Sequence, residues 1–169
     1  MRHNIFSTPV WVEKIEPDKI ELTSKNFEEK FLSGSLSTLD TTMKNNKITD
    51  EGLKYLLDII LKNLSELGVT KISLSNIWRN KYRDDFQDKH FHAGCHFCFV
   101  VYEKLKKPQT VFFHPAFDLL SEKKLEDVIT SNICPNLEEN DIIIFPAYLK
   151  HMVKKCRDSI TISGNINII

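Results

Sequence analysis

The feature that most constrains the fold is a change of hydrophobic period at Lys71. Before it, Leu53, Leu56, Leu57, Ile60, Leu61, Leu64 and Leu67 recur at three- and four-residue steps. That spacing gathers apolar side chains on one face of a helix. Thr49 precedes the stripe as a candidate N-cap, and Asp50 and Glu51 suit the positive end of the helix dipole. Gly68 is a natural terminator. After Lys71 the period drops to two, and Lys71–Arg83, His92–Glu103, Gln109–His114, Asp141–Phe145 and Ser159–Ile168 read as strands. Turn-type clusters at Lys106-Lys107-Pro108, Glu138-Glu139-Asn140 and Lys154-Lys155 divide them.

Shorter elements complete the outline. Pro9–Ile15 reads as a first strand, and Asn26–Leu32 and Ser121–Ile129 as short helices. Neither a repeat nor a linker rich in Gly, Ser or Pro interrupts the chain, so its 169 residues are expected to form a single domain. The fold class is α+β: a helical layer from residues 1–70 supports a sandwich or jelly-roll core built by 71–169.

Charge and composition narrow the function. With 23 basic and 23 acidic side chains the formal net charge is zero, which makes a nucleic-acid partner unlikely. A chain that is 41% hydrophobic and 27% charged is no disordered tail. Arg2, His3, Asn4 and Pro9 break the opening segment, so it holds no signal-peptide core. The longest apolar runs, Phe97–Tyr102 and Ile142–Tyr148, are too short to span a membrane. Four cysteines in a chain of this size are not a disulfide framework, so a cytoplasmic, reduced protein is expected. Strand alternation would place Cys95 and Cys98 on opposite faces, as buried thiols rather than a metal or redox pair.

Five of the six histidines, His90, His92, His96, His114 and His151, lie in the second half. If His90-Phe91-His92 opens a strand, both imidazoles project to one face and can share one metal ion. The same local pattern suits a surface edge with scattered histidines. The parity puts Phe91, Ala93, Cys95, Phe97, Phe99 and Val101 on a core face. His151 is expected on the loop just beyond the buried run Ile142–Pro146, where a rigid scaffold carries functional side chains. In the last strand Arg157, Ser159, Thr161, Ser163, Asn165 and Asn167 alternate with isoleucines. That polar face reads equally as a solvated surface or as a pocket wall, in which Arg157 and the Ser159 hydroxyl bind a carboxylate.

His-x-His before an aromatic strand, then Phe145-Pro146 with His151, then Arg157 and Ser159, resembles the Fe(II)/2-oxoglutarate-dependent oxygenases. The chain is similar to the small members common in bacterial and phage genomes. Their Trp-x-Asn-x-Tyr followed by Gln-x-x-His-x-His is met by Trp78-Arg79-Asn80-Lys81-Tyr82 and Gln87-Asp88-Lys89-His90-Phe91-His92. Phe6–Trp11 and Phe113-His114-Pro115 also resemble stretches of that group. The resemblance implies a double-stranded β-helix, the cupin-like form of jelly roll. It implies Fe(II) held by an H-x-D/E pair and a distal histidine, with 2-oxoglutarate chelating the metal and pairing its far carboxylate with a basic residue. Carried over, His90 is the first ligand, His151 the distal one, and Arg157 the 2-oxoglutarate anchor, assisted by Ser159. Asn76, Trp78, Tyr82 and His96 would line the pocket or fill the core, and His114 would do the same.

The sequence departs from that pattern in two places. The acidic position is His92, so a three-histidine site is the first choice, with Asp88 as reserve carboxylate. The short gap between His151 and Arg157 demands a tight hairpin at Lys154-Lys155. The implied reaction consumes O₂ and 2-oxoglutarate and hydroxylates a small molecule or a side chain. Two other readings stand beside it: a cupin-like three-histidine oxygenase that does not use 2-oxoglutarate, and a non-catalytic jelly-roll binding module. No residue pattern marks a particular substrate or an oligomeric state.

Overall fold

The computed structural model describes residues 7–23, 27–31, 38–41, 46–107, 109–125 and 128–169. The leucine stripe folds as helix α1, Asp50–Leu64, and the Thr49 hydroxyl caps it by accepting from the Gly52 N–H at 3.3 Å. A 3₁₀ turn over Ser65–Leu67 then ends at Gly68, whose φ of 80° lies in the left-handed region. Leu56, Ile60 and Leu64 are wholly buried. They pack on Phe97, Phe99, Ile142, Ile144, Ile162 and Ile166 of the sheet.

Around this helix run β1 (Trp11–Lys14), β2 (Glu28–Phe31), β3 (Thr38–Thr41), β4 (Ile72–His90), β5 (Phe97–Lys104) and β6 (Thr110–Phe113). A short helix α2 (Phe117–Glu122), β7 (Asn132–Ile133), β8 (Asp141–Pro146) and β9 (His151–Ile168) complete the order. The strands pair antiparallel in the order β1-β8-β5-β9-β4-β3-β2. β9 is the hub. One edge pairs with β4, while the other pairs with β5 over Ile160–Ile166 and with β6 over His151–Val153. Sharing one edge between two strands curls the sheet into a jelly roll, and it closes on a second apolar cluster that includes Cys98, Tyr102, Phe112, Ile143 and Phe145. β5 therefore alternates between two cores, Phe97, Phe99 and Val101 on the α1 side and Cys98 and Tyr102 on the other.

Several expectations are corrected. The segment expected as a helix over Asn26–Leu32 holds strand β2, hairpinned with β3, with residues 26 and 32 outside the described set. The N-terminal helical layer thus reduces, among the described residues, to α1 and short turns, while β1 and β3 extend the sheet. The helix expected over Ser121–Ile129 occupies Phe117–Glu122 instead, and residues 126 and 127 lie outside the described set. Phe6 and Pro108 also fall outside it. No helix among the described residues is long and apolar enough to cross a membrane.

The largest departure lies in β4 and β9. β4 runs past Arg83 to His90, and β9 begins at His151, so Lys154-Lys155 is strand rather than hairpin. Continuity comes at the cost of bulges. Pairing is regular from Asn76↔Asn165 to Tyr82↔Ser159, then shifts between Tyr82 and Arg83 and three more times before His90↔His151. Asp84 (φ 109°) and Asp158 (φ 58°) take left-handed backbone there, a conformation that Asp tolerates better than most residues. Along the face of β9 that carries His151, the buried positions run His151, Val153, Cys156, Ser159, Thr161, Ser163. Twice the step is three rather than two, the mark of an extra residue on one strand.

Candidate metal centre

His90 is the last residue of β4 and His151 the first of β9, and the two are partners across the ladder. His92 lies in the connection to β5, which turns at Gly94 (φ 80°). The His92 N–H donates to the Ala147 carbonyl at 3.0 Å, tying that connection to the end of β8. The ring centroids stand 4.3 Å apart for His90–His151 and 5.3 Å for each of the other pairs. One nitrogen from each ring lies within 4.8 Å of the other two. The expected triad thus assembles, but not by strand parity: His90 closes one strand, and His92 precedes β5 rather than opening it. His151 stands on a strand and is 4% exposed, not on an open loop.

Backbone carbonyls select the tautomers. His90 Nδ1 lies 2.6 Å from the Asp88 carbonyl, and His151 Nδ1 lies 2.9 Å from the Leu149 carbonyl. A carbonyl only accepts, so each Nδ1 carries the hydrogen and each Nε2 keeps its lone pair. Such a hydrogen bond also fixes ring orientation, as around metal-bound histidines generally. The His92 ring stacks on Trp78 at 6.1 Å and on His151 at 5.3 Å, with the Asn165 side chain nearby. The Phe145 ring packs edge-on against His151 at 4.9 Å.

Burial, reinforced by the neighbouring His90, lowers the His92 pKa from 6.5 to about 4. The same causes lower that of His151 from 6.5 to about 3. Both rings are therefore neutral near pH 7, the form that binds a cation without first losing a proton. Three imidazoles suit iron, nickel, copper or zinc and do not suit magnesium or calcium. The donor set fits a divalent transition metal, which His90, His92 and His151 could hold.

Beneath the histidines lies a cavity of about 50 Å³. Trp78, Asn80 and Tyr82 of β4, Cys98 and Val100 of β5, and Thr161, Ser163 and Gly164 of β9 wall it, with Gln109 and Thr110 closing one side. Gly164 is required there, since a Cβ would stand 2.6 Å from the Phe99 ring. Among the described residues, no Lys, Arg, Asp or Glu lines this chamber.

The other expected site residues divide. Tyr82 lines the chamber and is 2% exposed, and burial raises its phenol pKa well above the ordinary value. Ser159 is buried behind the wall and donates to Gln109 Oε1 at 3.2 Å. Asp88 is exposed and lies outside the ligand cluster, and only its backbone carbonyl serves the site. Asn76 is exposed beside a bulge, and Asn80 takes the inward position.

Arg157 does not line the chamber. Its side chain is 66% exposed, 3.6 Å from the Asp84 carboxylate, because the bulge at Asp158 takes it out of phase with Ser159 and Thr161. His96 and His114 are neither core nor chamber: both are exposed, and their Nδ1 atoms accept from the Ile168 and Ala116 N–H groups. The Cys95 and Cys98 sulfurs lie 3.9 Å apart, since Cys95 sits in the turn where strand parity does not apply. Sequence reasoning missed Gln109 as a site residue; no local signal marks it, because its partner Ser159 lies on another strand.

No protein-family model matches the sequence, and no curated protein matches it. Solved structures do. An oxidoreductase of the 2OG-Fe(II) oxygenase family from Burkholderia pseudomallei superposes with a TM-score of 0.57 at 10% identity, over 89% of this chain and 74% of that one. A prolyl-4-hydroxylase from Pseudomonas putida gives 0.56 at 11% identity, over 84% and 78%. HygX from Streptomyces hygroscopicus, solved with nickel, 2-oxoglutarate and hygromycin B bound, gives 0.54 at 7% identity, over 95% and 83%. The chain has the jelly-roll fold of these oxygenases.

Proposed function

We propose that this chain is an Fe(II)- and 2-oxoglutarate-dependent dioxygenase that hydroxylates a small molecule or a side chain. The observation that carries the reading is the cluster of His90, His92 and His151, with metal-competent nitrogens within 4.8 Å of one another, on an oxygenase fold. Iron with its 2-oxo acid supplies the oxidising chemistry: one O₂ is consumed, the oxo acid leaves as succinate and CO₂, and one oxygen atom enters the substrate C–H bond. The chain's residues orient and exclude. The Asp88 and Leu149 carbonyls hold the two Nδ1 protons, so His90 and His151 present Nε2. Trp78 and Phe145 brace the other edges of the cluster. Phe99, Val100 and Phe145 form the apolar part of the cavity wall. A cytoplasmic location suits the four free thiols.

A second reading has one observation in its favour. No described Lys or Arg lines the chamber, as a three-histidine oxygenase without 2-oxoglutarate would have it. Anaerobic Fe(II) titration of the full chain separates the two. Under the first reading one equivalent of iron binds, 2-oxoglutarate adds a weak visible charge-transfer band, and air then yields succinate. Iron binding with neither band nor succinate removes the first reading and leaves the second. Absence of stoichiometric iron removes both and leaves a binding module.

A further inference from the structure

Two buried polar atoms on the chamber wall have no hydrogen-bond partner among the described residues: Gln109 Nε2 and Thr161 Oγ1. Both residues are 2% exposed. Ser159 takes the other end of the Gln109 amide, which leaves Nε2 with its two hydrogens unspent. Thr161 neighbours the Tyr82 phenol but makes no well-formed hydrogen bond. Native interiors rarely leave such groups unsatisfied, and the usual reason for one that persists is a ligand or water that completes it. These donors are neutral, and the chamber has no described cation. A carboxylate placed there would be desolvated without an opposite side-chain charge, which is costly. An uncharged oxygen that accepts a hydrogen bond incurs no such cost.

We propose that the wall at Gln109 Nε2 and Thr161 Oγ1 receives an uncharged hydrogen-bond acceptor, the far end of the metal-chelating 2-oxo acid. This rests on the metal and 2-oxo-acid reading above and deepens it. The site would bind a 2-oxo acid with a neutral carbonyl at its far end at least as tightly as 2-oxoglutarate.

The test uses three probes on the iron-loaded full chain without O₂, read by the charge-transfer band rather than by turnover. They are 2-oxoglutarate; 2,5-dioxohexanoate, in which a methyl ketone replaces the far carboxylate atom for atom; and 2-oxohexanoate, which lacks the far oxygen. The expected order is 2,5-dioxohexanoate equal to or tighter than 2-oxoglutarate, with 2-oxohexanoate weaker than the ketone by about 3- to 10-fold, the worth of one neutral hydrogen bond. Gln109→Leu should erase the ketone's advantage over 2-oxohexanoate while iron stoichiometry stays at one. If that variant does not fold, the ranking on the unaltered chain still decides. A preference for 2-oxoglutarate over the ketone of about tenfold or more, or equal binding of the ketone and 2-oxohexanoate, overturns the inference and leaves the dioxygenase reading standing. Bound iron with no band from any of the three overturns both.

Discussion

The two halves of the β4–β9 ladder differ sharply although the same two strands build them. From Asn76 to Tyr82 the partners keep step, and isoleucines such as Ile77 and Ile162 pack under α1. Beyond Tyr82 the register slips four times, two aspartates adopt left-handed backbone, and the strands end at His90 and His151. Regular pairing keeps alternate side chains on one face, which suits a continuous apolar layer. A bulge adds a residue and re-aims the side chains beyond it. The core belongs to the half that obeys alternation, and two of the three candidate metal ligands, His90 and His151, to the half that breaks it.

The strongest way to break this contrast is to delete Asp158. Losing one residue shifts the phase of everything toward His151, and a one-residue slip turns each side chain to the other face. Bound metal, counted by elemental analysis, should fall from one per chain to near zero while helix content persists. Full metal retention would refute the role given to the bulge. On the regular side, Ile60→Ala empties a fully buried site against the sheet. Denaturant unfolding should show a loss of about 2–5 kcal/mol, with metal stoichiometry unchanged in the folded protein. A loss of metal at equal folded fraction would show that the halves are coupled.

pH offers a milder probe. His92 and His151 are held neutral by burial, with pKa values lowered from 6.5 to about 4 and about 3. As pH falls below 6.5 the unfolded chain gains protons that the folded one does not, so stability declines until the folded groups titrate in turn. The metal-free protein should be most stable above about pH 6.5 and lose stability steadily toward pH 4. Replacing His151 by Phe should flatten that slope; an unchanged slope assigns it to other groups. The smallest effect is expected at Arg157, an exposed side chain beside Asp84. Arg157→Ala should change stability by no more than about 0.5 kcal/mol and leave 2-oxoglutarate affinity unaltered. A clear loss of affinity would return Arg157 to the site.

The elements legible along the chain are those set by local rules. The α1 boundaries came from Thr49, the leucine period and Gly68, and those features act within a few residues of one another. The strands β5, β6 and β8 were readable because alternation or continuous apolarity survives in each. Asn26–Leu32 misled because its mixture of charged and apolar residues suits either element, and pairing with β3 decides for strand. Arg157 shares the polar parity of Ser159 along the sequence, but Asp158 inserts a residue between them and the Arg157 side chain turns outward. The histidine triad was anticipated partly for the wrong reason, since His92 reaches its place through a turn anchored to Ala147 rather than along a strand.

The sequence by itself determined one amphipathic helix, the apolar strands that must cover it, and three imidazoles close to strand ends. These depend on residue type and short spacing alone. Tertiary structure decided where the bulges fall, which side of β9 each polar residue occupies, and that Gln109 and Thr161 face a chamber free of described charged side chains. The physical reason is that register is a property of two strands together. A side chain's face is set by every paired residue before it, and one extra residue reverses it.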